Sequence, residues 1–337
     1  MRFFSDNTAT TCPEILEALV AANRGLEKAY GDDRWTQQLD AAMSSFFGKK
    51  VRAFAVSSGT AANSLSLATV TPPYGTIFAH EHAHIVSDEC GAPGFFCGGA
   101  QLSVIASDQG KVTVSAFAAA LAAHRASVTD REPSVISLSQ ATEYGTTYRP
   151  GEIAAIAKLA HERGLWVHMD GARFANSVAF LDCHPGDLTW RAGVDILSFG
   201  ATKNGAMTAE AVVFFDQEAV RDFDVRRKRS GHLLSKSRYV SAQLLAYLET
   251  GVWRRNAQRT NRLAQQIAQA AGTLLMCPVE ANEVFLRLGP QRKRSLREQG
   301  FEFSSLGPDS PGEVRFVVSW DQVEEDVDLL CRALKSG

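Results

Sequence analysis

Apolar segments rich in β-branched and aromatic residues alternate along this chain with alanine-rich stretches, and that alternation restricts the fold more than any other feature. VRAFAVSS (51–58) reads as a strand and runs into GTAANSLSLATV, which reads as a helix. Further strands are predicted at 76–80, 101–106, 133–139, 165–170, 194–200 and 211–216, with helices at about 115–125, 150–163 and 217–229. Strands apolar on both faces need cover on both faces, so the prediction is an α/β fold with a mainly parallel sheet. After about residue 235 the pattern changes. KSRYVSAQLLAYLETG and WRRNAQRTNRLAQQIAQAAG read as helices, EVFLRL (283–288) and EVRFVVSW (313–320) as strands, and QVEEDVDLLCRALKS as a closing helix. The expected organisation is an N-terminal segment (1–20), a large domain (21–245) and a smaller α+β C-terminal domain (246–337).

Composition narrows the function classes. A chain of 337 residues exceeds the usual size of one core, and 45% hydrophobic with 21% charged residues argues against disorder. The 35 basic and 37 acidic side chains leave a net charge of −2, so no basic footprint for nucleic acid is visible. No apolar run reaches the roughly 18 residues that a membrane span needs, and MRFFSDNTAT has no apolar signal core. The expected compartment is the cytoplasm. Cys12, Cys90, Cys97, Cys183, Cys277 and Cys331 form no CxxC pair and read as reduced thiols.

Five segments carry chemistry. SSGTAAN (57–63) lies at a strand-to-helix junction, where Ser58, Gly59 and Thr60 offer hydroxyls and free N–H groups to an anion; an ordinary capped helix start is the plainer reading. Asp170, in LWVHMDGARFAN, ends an apolar strand, the place where open α/β sheets put their ligands, with Arg173 three residues on. Lys203, in VDILSFGATKNG, closes another strand of the same sheet and can form an imine. In HEHAH an extended backbone would point His80, His82 and His84 the same way, fitting zinc, while a flat imidazole at His84 fits stacking on an aromatic cofactor; Glu89 follows in DECGAPG. Arg315 sits inside an apolar strand, and RRKRSGHLLSKSR (226–238) is the strongest basic cluster.

Taken in order, an anion loop, a strand-end Asp, a strand-end Lys and an Arg from a second domain are what pyridoxal 5′-phosphate requires. The phosphate needs the loop, the pyridine nitrogen a carboxylate, the aldehyde an amine, and an amino-acid substrate an arginine for its carboxylate.

The sequence also resembles the L-threonine aldolases of the aspartate-aminotransferase-like (fold type I) pyridoxal phosphate enzymes. The resemblance runs over SDNTAT, YGDD, SSGTAAN, HAHIVSDECGAPGFF, ATEYG, HMDGARFAN, SFGATKNG, RRKRSGHLLSK and VRFVVS, in the manner of the low-specificity bacterial branch. It implies aldol cleavage of L-threonine, L-allo-threonine and related β-hydroxy-α-amino acids to glycine and an aldehyde. It implies that Lys203 binds the cofactor aldehyde, that Asp170 holds the pyridine nitrogen, and that His84 stacks on the ring. Ser58, Gly59 and Thr60, with Lys236 from a neighbouring subunit, are implied to bind phosphate, and Arg173 to lie near the cofactor. Ser5, Arg173 and Arg315 are implied to bind the substrate carboxylate, with Tyr30 on a loop near the site. A homotetramer with each site at a dimer interface follows from the same resemblance; no metal-binding residue is expected.

One departure stands out. Many members carry a histidine before the strand at 133–139, whereas here the segment is SVTDREPS and the nearest is His124. His84 is therefore the first candidate to take the hydroxyl proton. Transamination, β-elimination and racemisation use the same parts; a non-catalytic scaffold or a three-histidine zinc site are the remaining alternatives.

Overall fold

The computed structural model of the chain describes residues 1–124, 131–220, 222–307 and 312–336. Residues 127–130 of SVTDREPS, the last residue (125) of the expected helix 115–125 and residue 221 within the expected helix 217–229 lie outside them.

Seven strands build the main sheet: β1 (Arg52–Val56), β2 (Gly75–His80), β3 (Gln101–Ile105), β4 (Glu132–Ser139), β5 (Trp166–Gly171), β6 (Ile196–Gly200) and β7 (Glu210–Phe214). Their order is β1-β7-β6-β5-β4-β2-β3, and β7 runs antiparallel to both neighbours while the other pairs are parallel. β2, β6 and β7 are buried at every position, which is why they read as continuous apolar runs. Helix Gly59–Val70 is buried from Ala61 to Val70. Two of its hydroxyls are satisfied within the helix: Ser66 donates to the Ala62 carbonyl at 2.6 Å and Thr69 to the Leu65 carbonyl at 2.7 Å.

Because β7 opposes its neighbours, its first residue lies beside the last residues of β1 and β6: Glu210 pairs with Val56 and with Gly200. Ser139 likewise pairs with Asp170. The carboxyl ends of four parallel strands and the start of β7 thus meet along one edge. Gly200 is required there, since a Cβ would stand 2.8 Å from the Ala172 backbone.

A second sheet, in the order β8 (Glu283–Arg287), β10 (Glu313–Val317), β9 (Ser304–Ser305), is antiparallel. It packs with helices Val252–Ala271 and Glu324–Lys335 around Leu263, Ile267, Leu286, Phe316 and Leu330. Phe3 belongs to this core: its N–H donates to the Glu302 carbonyl, and its carbonyl accepts from Val317, both at 2.8 Å. Helix Pro13–Ala22 instead packs on helix Arg238–Glu249.

The sequence reading missed helices Pro13–Ala22, Arg34–Phe47, Phe174–Leu181 and Gly289–Glu298. It extended one helix too far toward its N-terminus. Described residues 217–220 form no helix, because Asp216 turns the chain by accepting the Glu218 N–H at 2.8 Å, and the helix spans Phe223–Arg229.

Candidate active site

A cavity of about 270 Å³ opens where the strand ends meet, lined among others by Ser58, Gly59, Thr60, His84, Asp170, Arg173 and Lys203. A larger hollow of about 490 Å³ lies elsewhere, between Leu65, Phe95, Phe96 and Arg226, and no lysine, histidine or carboxylate lines it. The lysine, histidine and strand-end aspartate singled out from the sequence all line the smaller cavity.

Its anion side is the start of helix Gly59–Val70. Ser58 caps that helix, its Oγ accepting the Ala61 N–H, and the N–H groups of the first turn have no intrahelical acceptor. No atom stands within 4 Å of where a Gly59 Cβ would project, so the helix start faces open space.

Asp170 reaches the cavity from the end of β5. One oxygen accepts the Ala172 N–H at 3.0 Å, the other an Asn63 amide N–H at 2.8 Å. The same Asn63 nitrogen donates to Glu89 Oε1 at 2.8 Å, and that oxygen faces His84 Nδ1, also at 2.8 Å. Asn63 and Glu89 are buried. The hydrogen bond from Glu89 raises the His84 pKa against the burial that would lower it, while burial pushes Glu89 up.

Arg173 forms another part of the lining. Its Nε and Nη2 donate to the two Asp6 oxygens at 2.8 and 3.0 Å, and its Nη1 stands 3.1 Å from Glu283 Oε2. Arg315 Nη1 reaches the other Glu283 oxygen at 3.4 Å. Asn282 also donates to Asp6 at 3.0 Å. Burial alone would raise the Asp6 pKa, but Arg173 and Lys203 hold it below the usual carboxylate range. Two guanidiniums and two carboxylates thus balance one another.

Lys203 lies in a single helical turn after β6. Asn204 ties that turn down by donating to the Tyr247 hydroxyl at 2.6 Å and the Trp253 carbonyl at 2.8 Å. Glu210 and Glu143 complete the lining. Burial pushes both carboxyls up to about 7.

The structure brings together seven of the expected residues: Ser58, Gly59, Thr60, His84, Asp170, Arg173 and Lys203. Four others do not line the cavity. Arg315 meets it only through Glu283. Ser5 caps the turn Asp6–Thr8, Tyr30 is exposed with Lys228 4.1 Å from its ring, and Lys236 is exposed. The segment HEHAH is not extended. β2 ends at His80, the chain turns, and a short helix starts at His84. His80 bonds the Ser107 carbonyl, His82 packs edge-on to Tyr144, and His84 bonds Glu89. Among the described residues no group of three His, Cys, Asp or Glu is placed to hold a metal. Asp6, Asn63, Glu143, Glu210 and Glu283 were not singled out from the sequence. Asp6 and Glu143 sit inside the quoted SDNTAT and ATEYG, and that was the available signal.

A family model described as beta-eliminating lyase matches residues 2–289. The low specificity L-threonine aldolase of Pseudomonas aeruginosa is 43% identical over 99% of this chain and 97% of its own. This chain belongs to the low-specificity L-threonine aldolase family. Its fold is shared with a Leishmania major threonine aldolase (TM-score 0.93, 23% identity, 99% and 98% of the two chains). A probable N-succinyldiaminopimelate aminotransferase from Thermus thermophilus superposes at TM-score 0.75 with 15% identity over 100% and 94%. The α/β architecture of the aldolase family is therefore also that of aminotransferase-like enzymes.

Proposed function

We propose that this chain is a pyridoxal 5′-phosphate-dependent lyase that cleaves L-threonine, L-allo-threonine and related β-hydroxy-α-amino acids to glycine and an aldehyde. The observation that carries this reading is the convergence of Asp170, Lys203, His84 and an open helix start on one cavity. The donor set fits the cofactor. Free N–H groups at Ser58, Gly59 and Thr60 suit its phosphate, Asp170 its pyridine nitrogen, and Lys203 its aldehyde, with His84 against the ring. When bound, the cofactor supplies an electron-withdrawing ring conjugated to the substrate nitrogen.

The chain's own residues do the rest. Asn63 and the Ala172 N–H fix the orientation of the Asp170 carboxylate. Glu89 orients the His84 ring through Nδ1. Arg173 meets the substrate carboxylate in the cavity, with Arg315 behind it through Glu283 and Ser5 beside Asp6, so the bond to be broken is presented in one orientation. In this reading the enzyme is a cytoplasmic homotetramer with the divisions 1–20, 21–245 and 246–337. Exposed Tyr30 and Lys236 then serve a neighbouring copy's site, Lys236 at the phosphate. No helix among the described residues is long and apolar enough to cross a membrane.

The test is to load wild-type and Lys203→Ala protein with pyridoxal phosphate and assay acetaldehyde and glycine from L-threonine. Wild type is expected to show a visible absorbance band and both products, and the variant neither. Full turnover by the variant would sink the proposal. The family name favours one second reading, β-elimination, which would give a keto acid from L-serine and no glycine from L-threonine.

A further inference from the structure

We infer that Glu143 is the acid–base residue of this cavity and that its free oxygen, Oε2, takes the β-hydroxyl proton of the substrate. The inference rests on the aldolase reading above and names a group for a step which that reading leaves without one.

Three observations carry it. First, Glu143 lines the same cavity as Lys203, Asp170 and His84, at the loop that leaves β4. Second, its two oxygens differ. Oε1 is fixed, accepting from Ser139 Oγ at 2.5 Å and from the His84 backbone N–H at 3.0 Å. Oε2 is shielded from solvent and has no hydrogen-bond partner. A shielded carboxyl oxygen without a partner is costly, and a substrate hydroxyl would satisfy it. Third, the other candidate is compromised. His84 is bound to Glu89 through Nδ1, and that hydrogen bond draws the ring toward its protonated form, which has no lone pair to give.

The charged and titratable groups sharing the cavity are His84, Asp170, Arg173, Lys203 and Glu210. Burial, then the Asp170 charge, raises Glu143 while Ser139 and the His84 N–H pull it back, leaving it at about 7. A base at that value is half ionised near neutrality, which suits proton exchange in both directions.

The step balances. Oε2 gains the hydroxyl proton and the O–H pair becomes the second carbon–oxygen bond of the departing aldehyde. The Cα–Cβ pair stays with Cα, where one proton makes it the new C–H bond of glycine. One proton leaves the hydroxyl and one reaches Cα, with no net change.

The experiment compares two reactions of the pyridoxal phosphate-loaded enzyme: acetaldehyde release from L-threonine, and exchange of a glycine Cα proton in heavy water followed by NMR. Only the first involves a β-hydroxyl. In Glu143→Gln the cleavage rate is expected to fall by about 100-fold or more, and the loss in exchange to be at least ten times smaller. The acid limb of wild-type kcat/KM, which rises as Glu143 ionises through about pH 7, should disappear. Infrared difference spectra between pH 5.5 and 8.5 should lose carboxyl intensity in the variant relative to wild type, the Glu210 contribution remaining. Equal losses in both reactions, cleavage within tenfold of wild type, or carboxyl intensity unchanged in the variant would overturn the assignment. Should the glutamine variant not fold, Glu143→Asp draws the oxygen back by one methylene and is judged by the same ratio of rates. If wild type performs neither reaction, it is the aldolase reading that has failed, not the role of Glu143.

Discussion

The two walls of the cavity handle buried charge in opposite ways. On one side Arg173 and Arg315 face Asp6 and Glu283, cation against anion. On the other, Asp170, Glu89, Glu143 and Glu210 crowd around Lys203 and His84, with more acids than bases. The matched wall resists titration: Asp6 is held low and Arg173 is pushed higher still by Asp6 and Glu283, despite burial. The crowded wall stores protons, with Glu143 and Glu210 both near 7. Matched charge makes a rigid wall that keeps its ionisation, whereas excess acid makes a site that trades protons at neutral pH.

The largest way to break this contrast is to unbalance the matched wall. Glu283→Gln leaves Arg173 with Asp6 alone and takes away the carboxylate that Arg315 faces, and removing one partner of a buried ion pair costs about 3–5 kcal/mol. Urea unfolding should show that loss; a change below about 1 kcal/mol would mean the wall is not an electrostatic unit.

The contrast sharpens when stability is followed with pH in the cofactor-free protein. The folded pKa of Glu210, about 7, lies above its ordinary 4.5. Its contribution is therefore complete below about 4.5 and declines as pH rises through that value toward 7. The full shift corresponds to on the order of 3 kcal/mol. Asp6 behaves oppositely, contributing above its ordinary 3.8 and losing that contribution as pH falls through its depressed folded value. Glu210→Gln should roughly halve the fall of the urea midpoint between pH 4.5 and 7, Glu143 supplying the rest, and leave the acid limb in place. An unchanged slope would remove Glu210 from the crowded wall.

The smallest effect probes the link between acids. Glu89→Gln removes the anion that raises His84, so the His84 ring should titrate at lower pH by proton NMR. An unmoved titration would show that Glu89 does not govern His84.

What the sequence revealed and what it hid divide along the same lines. The strand end at Asp170, the turn after β6 that carries Lys203 and the helix start at Gly59 were legible because each is a local signal, an apolar run stopping at a polar residue or a glycine. The acids that complete the site were not. Asp6 acquires its meaning from Arg173 and from Asn282, which is 276 residues away. Glu143 and Glu210 look like ordinary acids until folding buries them. The three-histidine alternative fails for a related reason. It needs an extended chain past His80, and the His82 N–H instead folds back to bond the His80 ring.

The position of Phe3 and Asp6 bears on how the chain is born. Phe3 is clasped between Glu302 and Val317, and Asp6 needs Asn282. During translation these early residues emerge long before the segments that receive them. Arg173 likewise leaves the ribosome before Glu283 exists to neutralise it. Contacts that span so much of the chain slow assembly, so the pocket is finished last and its opening residues must wait, exposed, for almost the whole of synthesis.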